Sequence, residues 1–245
     1  MSTKILSSLL IISLIFNVLA AFAGYKAYRM IKDNRQLYDV YFKLKYDIPG
    51  IGHYKDKNIA LMKENPDDPE RIVFFGASIT ERWDFDKYFP GKSYVNRGAG
   101  GQYASQMVGR FYQDVLDLKP KSTIIKICAI NLDSNLDIKQ STDAVRAMID
   151  LAEAHNIEPI MATVIPVTEG YDKSHPDTDY TGKIKDLNRW IESYAAKRNL
   201  RIVDYFGYLS DSMGYLEDEY SDDGLHPNDK GYDQMAKAVY AVLGK

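Results

Sequence analysis

A chain of 245 residues, 45% hydrophobic and 27% charged, has the composition of an ordinary globular protein with room for one sizeable core. A net charge of −3 gives no basic surface for nucleic acid, and a single cysteine, Cys128, excludes an internal disulfide and a cysteine metal cluster. The four histidines are dispersed without metal-ligand spacing, so the expectation is no metal and no cofactor. In chain order, the first element is the nearly unbroken apolar run Ile5 to Ala23, with Lys4 before it and Lys26, Arg29, Lys32 and Arg35 after it. About 19 residues of helix nearly span a bilayer's hydrocarbon core. Ala21-Phe22-Ala23 has the small-x-small spacing of a signal-peptidase site, but the length of the run and the basic stretch behind it favour a retained single-pass anchor. Basic residues on both sides leave the side of the membrane open. The expected organisation is therefore an anchor or uncleaved signal sequence over 1–24, a juxtamembrane helix or linker over 25–49, and a globular domain over 50–245.

Within that domain a short helix around Asp56 to Glu64 leads through Asn65-Pro66-Asp67-Asp68-Pro69 into alternating strands and helices. Strands are predicted at Ile72–Phe75, Ser93–Asn96, Thr123–Cys128, Pro159–Val164 and Leu200–Val203. Helices are predicted at Gln102–Leu118, Ile138–His155, Tyr180–Arg198 and Asn228–Leu243. This order predicts an α/β fold of three layers, a doubly wound, flavodoxin-like parallel sheet of about five strands with helices on both faces. Residues 169–179, with Gly170 and Pro176, read as a mobile loop near the cleft.

Ligands of such a sheet bind past the carboxyl ends of its strands, so the chemistry is sought there. The first strand stops at Gly76-Ala77-Ser78 and enters a helical turn, which puts a hydroxyl beside free backbone N–H groups. After the second comes Asn96-Arg97-Gly98-Ala99-Gly100-Gly101, a loop whose glycines let backbone approach a ligand. It lacks the lysine and hydroxyl of a phosphate-binding loop, so nucleotide binding is a poor fit. Asn131, with two side-chain N–H donors, follows the third strand. Near the C-terminus stand Asp223 and His226, three apart, so that the carboxylate can fix one ring nitrogen and leave the other to face a nucleophile. Each of these has an ordinary explanation alone, as a cap, a turn or a loop.

Together, and in this order, the four pieces resemble the conserved blocks of the GDSL-type, or SGNH, hydrolases. Gly76-Ala77-Ser78-Ile79-Thr80 is similar to the nucleophile block, with Ala77 where the family usually has Asp. Asn96 to Gly101 resembles the block whose last glycine lends a backbone N–H to an oxyanion hole. Ala129-Ile130-Asn131-Leu132 resembles the Gly-x-Asn-Asp block, with Ala129 and Leu132 in place of its Gly and Asp. Asp223-Gly224-Leu225-His226-Pro227 matches the last block closely, and Trp83 and Gly231-Tyr232 also fit. The resemblance covers roughly residues 50–243 and is nearest to the branch that includes platelet-activating-factor acetylhydrolase, which acts on small acyl groups.

What the resemblance implies is a membrane-anchored serine esterase acting on a small acyl ester of a carbohydrate or lipid. Ser78, His226 and Asp223 would form its triad, and the backbone N–H groups of Ser78 and Gly101 with the Asn131 amide its oxyanion hole. An acyltransferase with the same triad, and a binding domain that has lost catalysis, remain open alternatives at this point. No oligomeric state is implied.

Overall fold

The computed structural model describes residues 3–47, 49–132 and 137–244. The chain divides into two compact units, Met1–Ile48 and Pro49–Lys245. The first is a single helix, α1 (Thr3–Tyr46), which takes in both the apolar run and the helical stretch expected to follow it. Leu14, Phe16, Val18, Leu19 and Phe22 are exposed on it. The expected transmembrane anchor is not supported. Among the described residues no helix is long and apolar enough to cross a membrane. The side chains of 5–9, 11 and 12, the first part of the expected anchor, lie outside the described residues.

The second unit opens with α2 (Lys55–Glu64). It continues through β1 (Ile72–Gly76), the single-turn helices α3 (Ser78–Glu81) and α4 (Phe85–Tyr88), β2 (Tyr94–Gly98), α5 (Ala104–Asp114), β3 (Ser122–Ile125), α6 (Ile138–Ala154) and β4 (Glu158–Ala162). Then come α7 (Glu169–Ser174), α8 (Tyr180–Arg198), β5 (Arg201–Val203), α9 (Tyr205–Leu209) and α10 (Asp229–Leu243). The strands form one parallel sheet in the order β2-β1-β3-β4-β5. This is the doubly wound order expected, with β1 and β3 at the switch point.

All five residues of β1 are buried, and their two-residue alternation feeds both layers. Val73 and Phe75 pack with Met107 and Phe111 of α5, Met148 of α6 and Leu187 of α8. Ile72 and Phe74 pack on the opposite face with Trp83, Tyr205, and Met235 and Val239 of α10. Full burial of such side chains stabilises by about 1.5–3 kcal/mol each, and so pins the register of the strand that carries the serine.

Two strands end sooner than their apolar runs. After Ile125 the chain leaves the ladder and enters a 3₁₀ turn, Ala129–Leu132. Past Ala162, the Asn188 side chain of α8 takes over the backbone of Val164, accepting from its N–H (2.8 Å) and donating to its carbonyl (2.9 Å). The expected loop over 169–179 instead begins with α7, whose N-cap Thr168 accepts from the Tyr171 N–H.

Candidate active site

The serine turn is assembled from three elements. Ala77 occupies the N-cap of α3 and Ser78 is its first residue, so the hydroxyl sits at the carboxyl edge of β1. A four-residue helix has no independent stability. Here Asn96 of β2 donates to the carbonyls of Thr80 (2.6 Å) and Trp83 (3.1 Å), and the Tyr232 hydroxyl of α10 donates to that of Ile79 (2.8 Å). The Trp83 ring stacks on Tyr232 at 5.5 Å. Sheet and terminal helix thus hold the serine from both sides.

The segment before α10 folds back through an antiparallel bridge between Ser221 and Pro227. The Ser221 hydroxyl donates to the His226 carbonyl (2.7 Å) and accepts the Gly224 N–H (2.9 Å). Gly224 has φ +82°, and an added Cβ would lie 2.7 Å from Thr168 Oγ1 and 2.9 Å from Tyr171 Cβ, so both conformation and space call for glycine there. Asp223 Oδ1 accepts the N–H groups of Leu225 (2.9 Å) and His226 (2.7 Å). Its Oδ2 lies 2.8 Å from His226 Nδ1, and His226 Nε2 lies 3.1 Å from Ser78 Oγ. In the tautomer that donates Nδ1–H to Asp223, the lone pair on Nε2 faces the serine hydroxyl.

Partial burial pushes the Asp223 carboxyl up, but the two backbone N–H groups and the His226 ring outweigh it and hold the group at about 2. The folded-state value therefore lies below the roughly 3.9 of an unfolded aspartate. The stability this ionisation contributes is complete above about pH 4 and is lost as pH falls toward about 2. With the side chain 53% exposed, solvent screening keeps that contribution small. Acid unfolding of the native chain and of Asp223→Asn should show a stability gap that closes across this window. A gap that stays constant down to pH 2 contradicts the assignment.

The other two predicted residues lie on the loops that flank the serine, after β2 and after β3, the two strands bordering β1. Gly101, with φ +72°, is in the turn between β2 and α5. Asn131 is 1% exposed in the 3₁₀ turn after β3. Its Oδ1 accepts the N–H of Ala104 (2.7 Å) and the Ser141 hydroxyl (3.4 Å). Of its two amide N–H bonds, Cys128 O takes one at 3.0 Å. The Asn131 side chain is thereby tied to the first residue of the helix that follows the glycine loop.

A model of the GDSL-like Lipase/Acylhydrolase family matches residues 74–234, most of the second unit. The chain belongs to this family. With it, the chain is a carboxylic ester hydrolase. Among solved structures, a GDSL-like lipase from Bacteroides thetaiotaomicron VPI-5482 is 28% identical, with a TM-score of 0.71 over 80% of this chain and 97% of its own. A catalytic mutant of Axe2, an acetylxylan esterase from Geobacillus stearothermophilus, matches 72% of this chain and 94% of its own with a TM-score of 0.58; at 16% identity the likeness is one of fold. The uncharacterized lipoprotein YqeF of Bacillus subtilis (strain 168) is 30% identical over 128 residues, 43% of this chain. That match spans about half, 53%, of the relative's length.

In this GDSL-like hydrolase the three departures from the family pattern are all apolar packing positions. Ala77 joins the core layer of α10, while Ala129 and Leu132 join that of α5, α6 and α8. The position after Leu132, Asp133, lies outside the described residues. Residues not singled out from sequence form the support beneath the loops. Arg110 is fully buried, donating to the carbonyls of Gly76 (2.8 Å) and Arg97 (2.9 Å), to Gln102 Oε1 (2.5 Å) and to Asp114 (2.9 Å). Asp114 in turn accepts from Asn58 (2.7 Å), whose Oδ1 accepts from Arg97 (2.7 Å). Burial pulls the Arg110 guanidinium down from its ordinary value while Asp114 opposes that shift. The Tyr54 hydroxyl donates to the Gly98 carbonyl, and burial pushes this phenol up to about 12, which keeps the proton on the donor. One network therefore holds the strand end before Ser78 and the glycine loop beside it.

Proposed function

We propose that the chain is a serine esterase for small, acetyl-like acyl esters of a carbohydrate or lipid, with Ser78 as nucleophile, His226 as base and Asp223 as its orienting acid. The observation that carries this reading is the continuous line from Asp223 Oδ2 through His226 to Ser78 Oγ, at 2.8 and 3.1 Å. His226 Nε2 takes the hydroxyl proton as Ser78 Oγ bonds to the ester carbonyl carbon. The carbonyl oxygen becomes an oxyanion, met by the N–H groups of Ser78 and Gly101 and by the Asn131 amide. As the tetrahedral species collapses, the C–O bond to the alcohol breaks, and His226 delivers its proton to the leaving oxygen. Water then enters, gives its proton to His226, and attacks the acyl-serine. The acid departs and Ser78 regains its hydrogen. Asp223 stays ionised through this cycle at neutral pH, so the imidazolium formed twice per turnover always faces a carboxylate. The acetylxylan esterase that shares the fold supports a small acyl group.

Assay of p-nitrophenyl acetate against p-nitrophenyl decanoate, with the native chain and Asn131→Ala, tests the reading. Acetate should be the better substrate, and Asn131→Ala should lose about 100- to 1,000-fold in kcat, the usual effect of one oxyanion donor. Because Asn131 also satisfies the buried Ala104 N–H, the variant should be about 1–3 kcal/mol less stable. Native kcat in folded Asn131→Ala removes Asn131 from the oxyanion hole, and a preference for decanoate refutes the small acyl group.

A further inference from the structure

We infer that Glu81 is a positioning residue for the oxyanion loop, acting through Gly100. The inference rests on the proposed role of Gly101 as an oxyanion donor. Glu81 is the last residue of α3, one turn beyond Ser78, and its Oε2 accepts the Gly100 N–H at 2.9 Å. Its Oε1 lies 3.1 Å from His53 Nε2. A Cβ built on Gly100 would fall 2.8 Å from Glu81 Oε2 and 3.9 Å from Ser78 Cβ, so the loop backbone lies close to both the carboxylate and the serine.

The need for such a contact follows from the loop's composition. Gly100 and Gly101 are adjacent, and each glycine can take conformations closed to other residues. The direction of the Gly101 N–H depends on the torsions at Gly100, so a fixed donor requires Gly100 to be held. On the near side, Tyr54 holds the Gly98 carbonyl and Asn96 Oδ1 holds the Gly98 N–H (2.9 Å). On the far side, Gln102 Nε2 donates to Pro49 O at 2.7 Å. Glu81 grips the middle of the span. A negative charge near a forming oxyanion is itself unfavourable, so the useful part of Glu81 is its acceptor oxygen. His53 and the Gly100 N–H together fix the carboxylate in the orientation that serves the loop. The arrangement also couples nucleophile and hole, because Ser78 and Glu81 belong to the same helical turn.

Glu81→Ala, Glu81→Met and Glu81→Gln test this against Ser78→Ala. Met keeps the length of the side chain without an oxygen, and Gln keeps the oxygen without the charge. Glu81→Ala and Glu81→Met should lower kcat for p-nitrophenyl acetate by about 10- to 100-fold, a partial loss of one oxyanion donor. KM should change little, and the rate of labelling by a fluorophosphonate should fall in parallel. Glu81→Gln should restore kcat to within a few-fold of native. Should Glu81→Ala fail to fold, Glu81→Met carries the comparison. Native kcat in Glu81→Met, or a loss in Glu81→Gln as large as in Glu81→Met, overturns the positioning role while Ser78→Ala remains inactive. Full hydrolysis by Ser78→Ala would instead overturn the esterase assignment and this inference with it.

Discussion

Replacing Ser78 by Ala should lower kcat for p-nitrophenyl acetate by about 10⁴- to 10⁶-fold, leaving only what the oxyanion donors and binding contribute. The basis is the contact between Ser78 Oγ and His226 Nε2, which gives the hydroxyl its base. Because the two act as a unit, His226→Ala should cost about as much, and the double variant should be no slower than either single one. Multiplied losses in the double variant would mean that the residues act separately. Folding should be little affected by Ser78→Ala, since the bonds that fix α3 come from Asn96 and Tyr232 and involve the carbonyls of Ile79, Thr80 and Trp83. Thermal melting close to native, with activity gone, is the expected pair of observations.

Asp114→Ala should be the most destabilising of the substitutions considered, by about 3–5 kcal/mol, the scale for a buried ion pair that loses one partner. Both side chains of the Arg110–Asp114 pair are 0% exposed, so removal of the carboxylate strands a guanidinium that water cannot reach. A domain of ordinary stability, about 5–15 kcal/mol, loses a large part of its margin. Urea unfolding should show a lower midpoint with an unchanged slope. Asn58 also loses one of its acceptors and keeps the Gln113 carbonyl, so the α2 side of the network loosens in part. A cost below about 1 kcal/mol would mean that water enters and solvates Arg110, and that the network is not the support of the two loops.

The contrast between these sites explains what could be read from the sequence. Ser78, Gly101 and Asn131 stand in short blocks that follow strands, and Asp223 and His226 in the segment before α10, where local pattern and family resemblance coincide. Strand order was legible because a βα alternation with right-handed crossovers admits few arrangements. Tyr180–Arg198 was legible to the residue, with Asp179 capping one end and Asn199 in the left-handed conformation at the other. Arg110 and Asp114 were missed for a different reason. An Arg–Asp pair four apart on a helix reads as a solvent-facing ion pair, yet these two share the face of Met107 and Phe111 that enters the core. The clue was their position on the apolar stripe rather than their charge. Glu81 carried no signal of this kind, because its partner Gly100 lies 19 residues away and meets it only once β1 and β2 pair. The ends of β3 and β4 were overrun because buried loops stay as apolar as the strands they leave: Ile127 and Cys128 are buried beyond β3, Val164 and Ile165 beyond β4. Gly170 and Pro176 suggested an irregular loop, and the Thr168 cap that starts α7 outweighed them.

Mass mapping after treatment with a fluorophosphonate tests the central claim most directly. One adduct per chain is expected, on the peptide that carries Ser78, with labelling abolished in Ser78→Ala and strongly slowed in His226→Ala. An adduct on any other residue, or a native chain that hydrolyses p-nitrophenyl acetate while Ser78 stays unmodified, would contradict it.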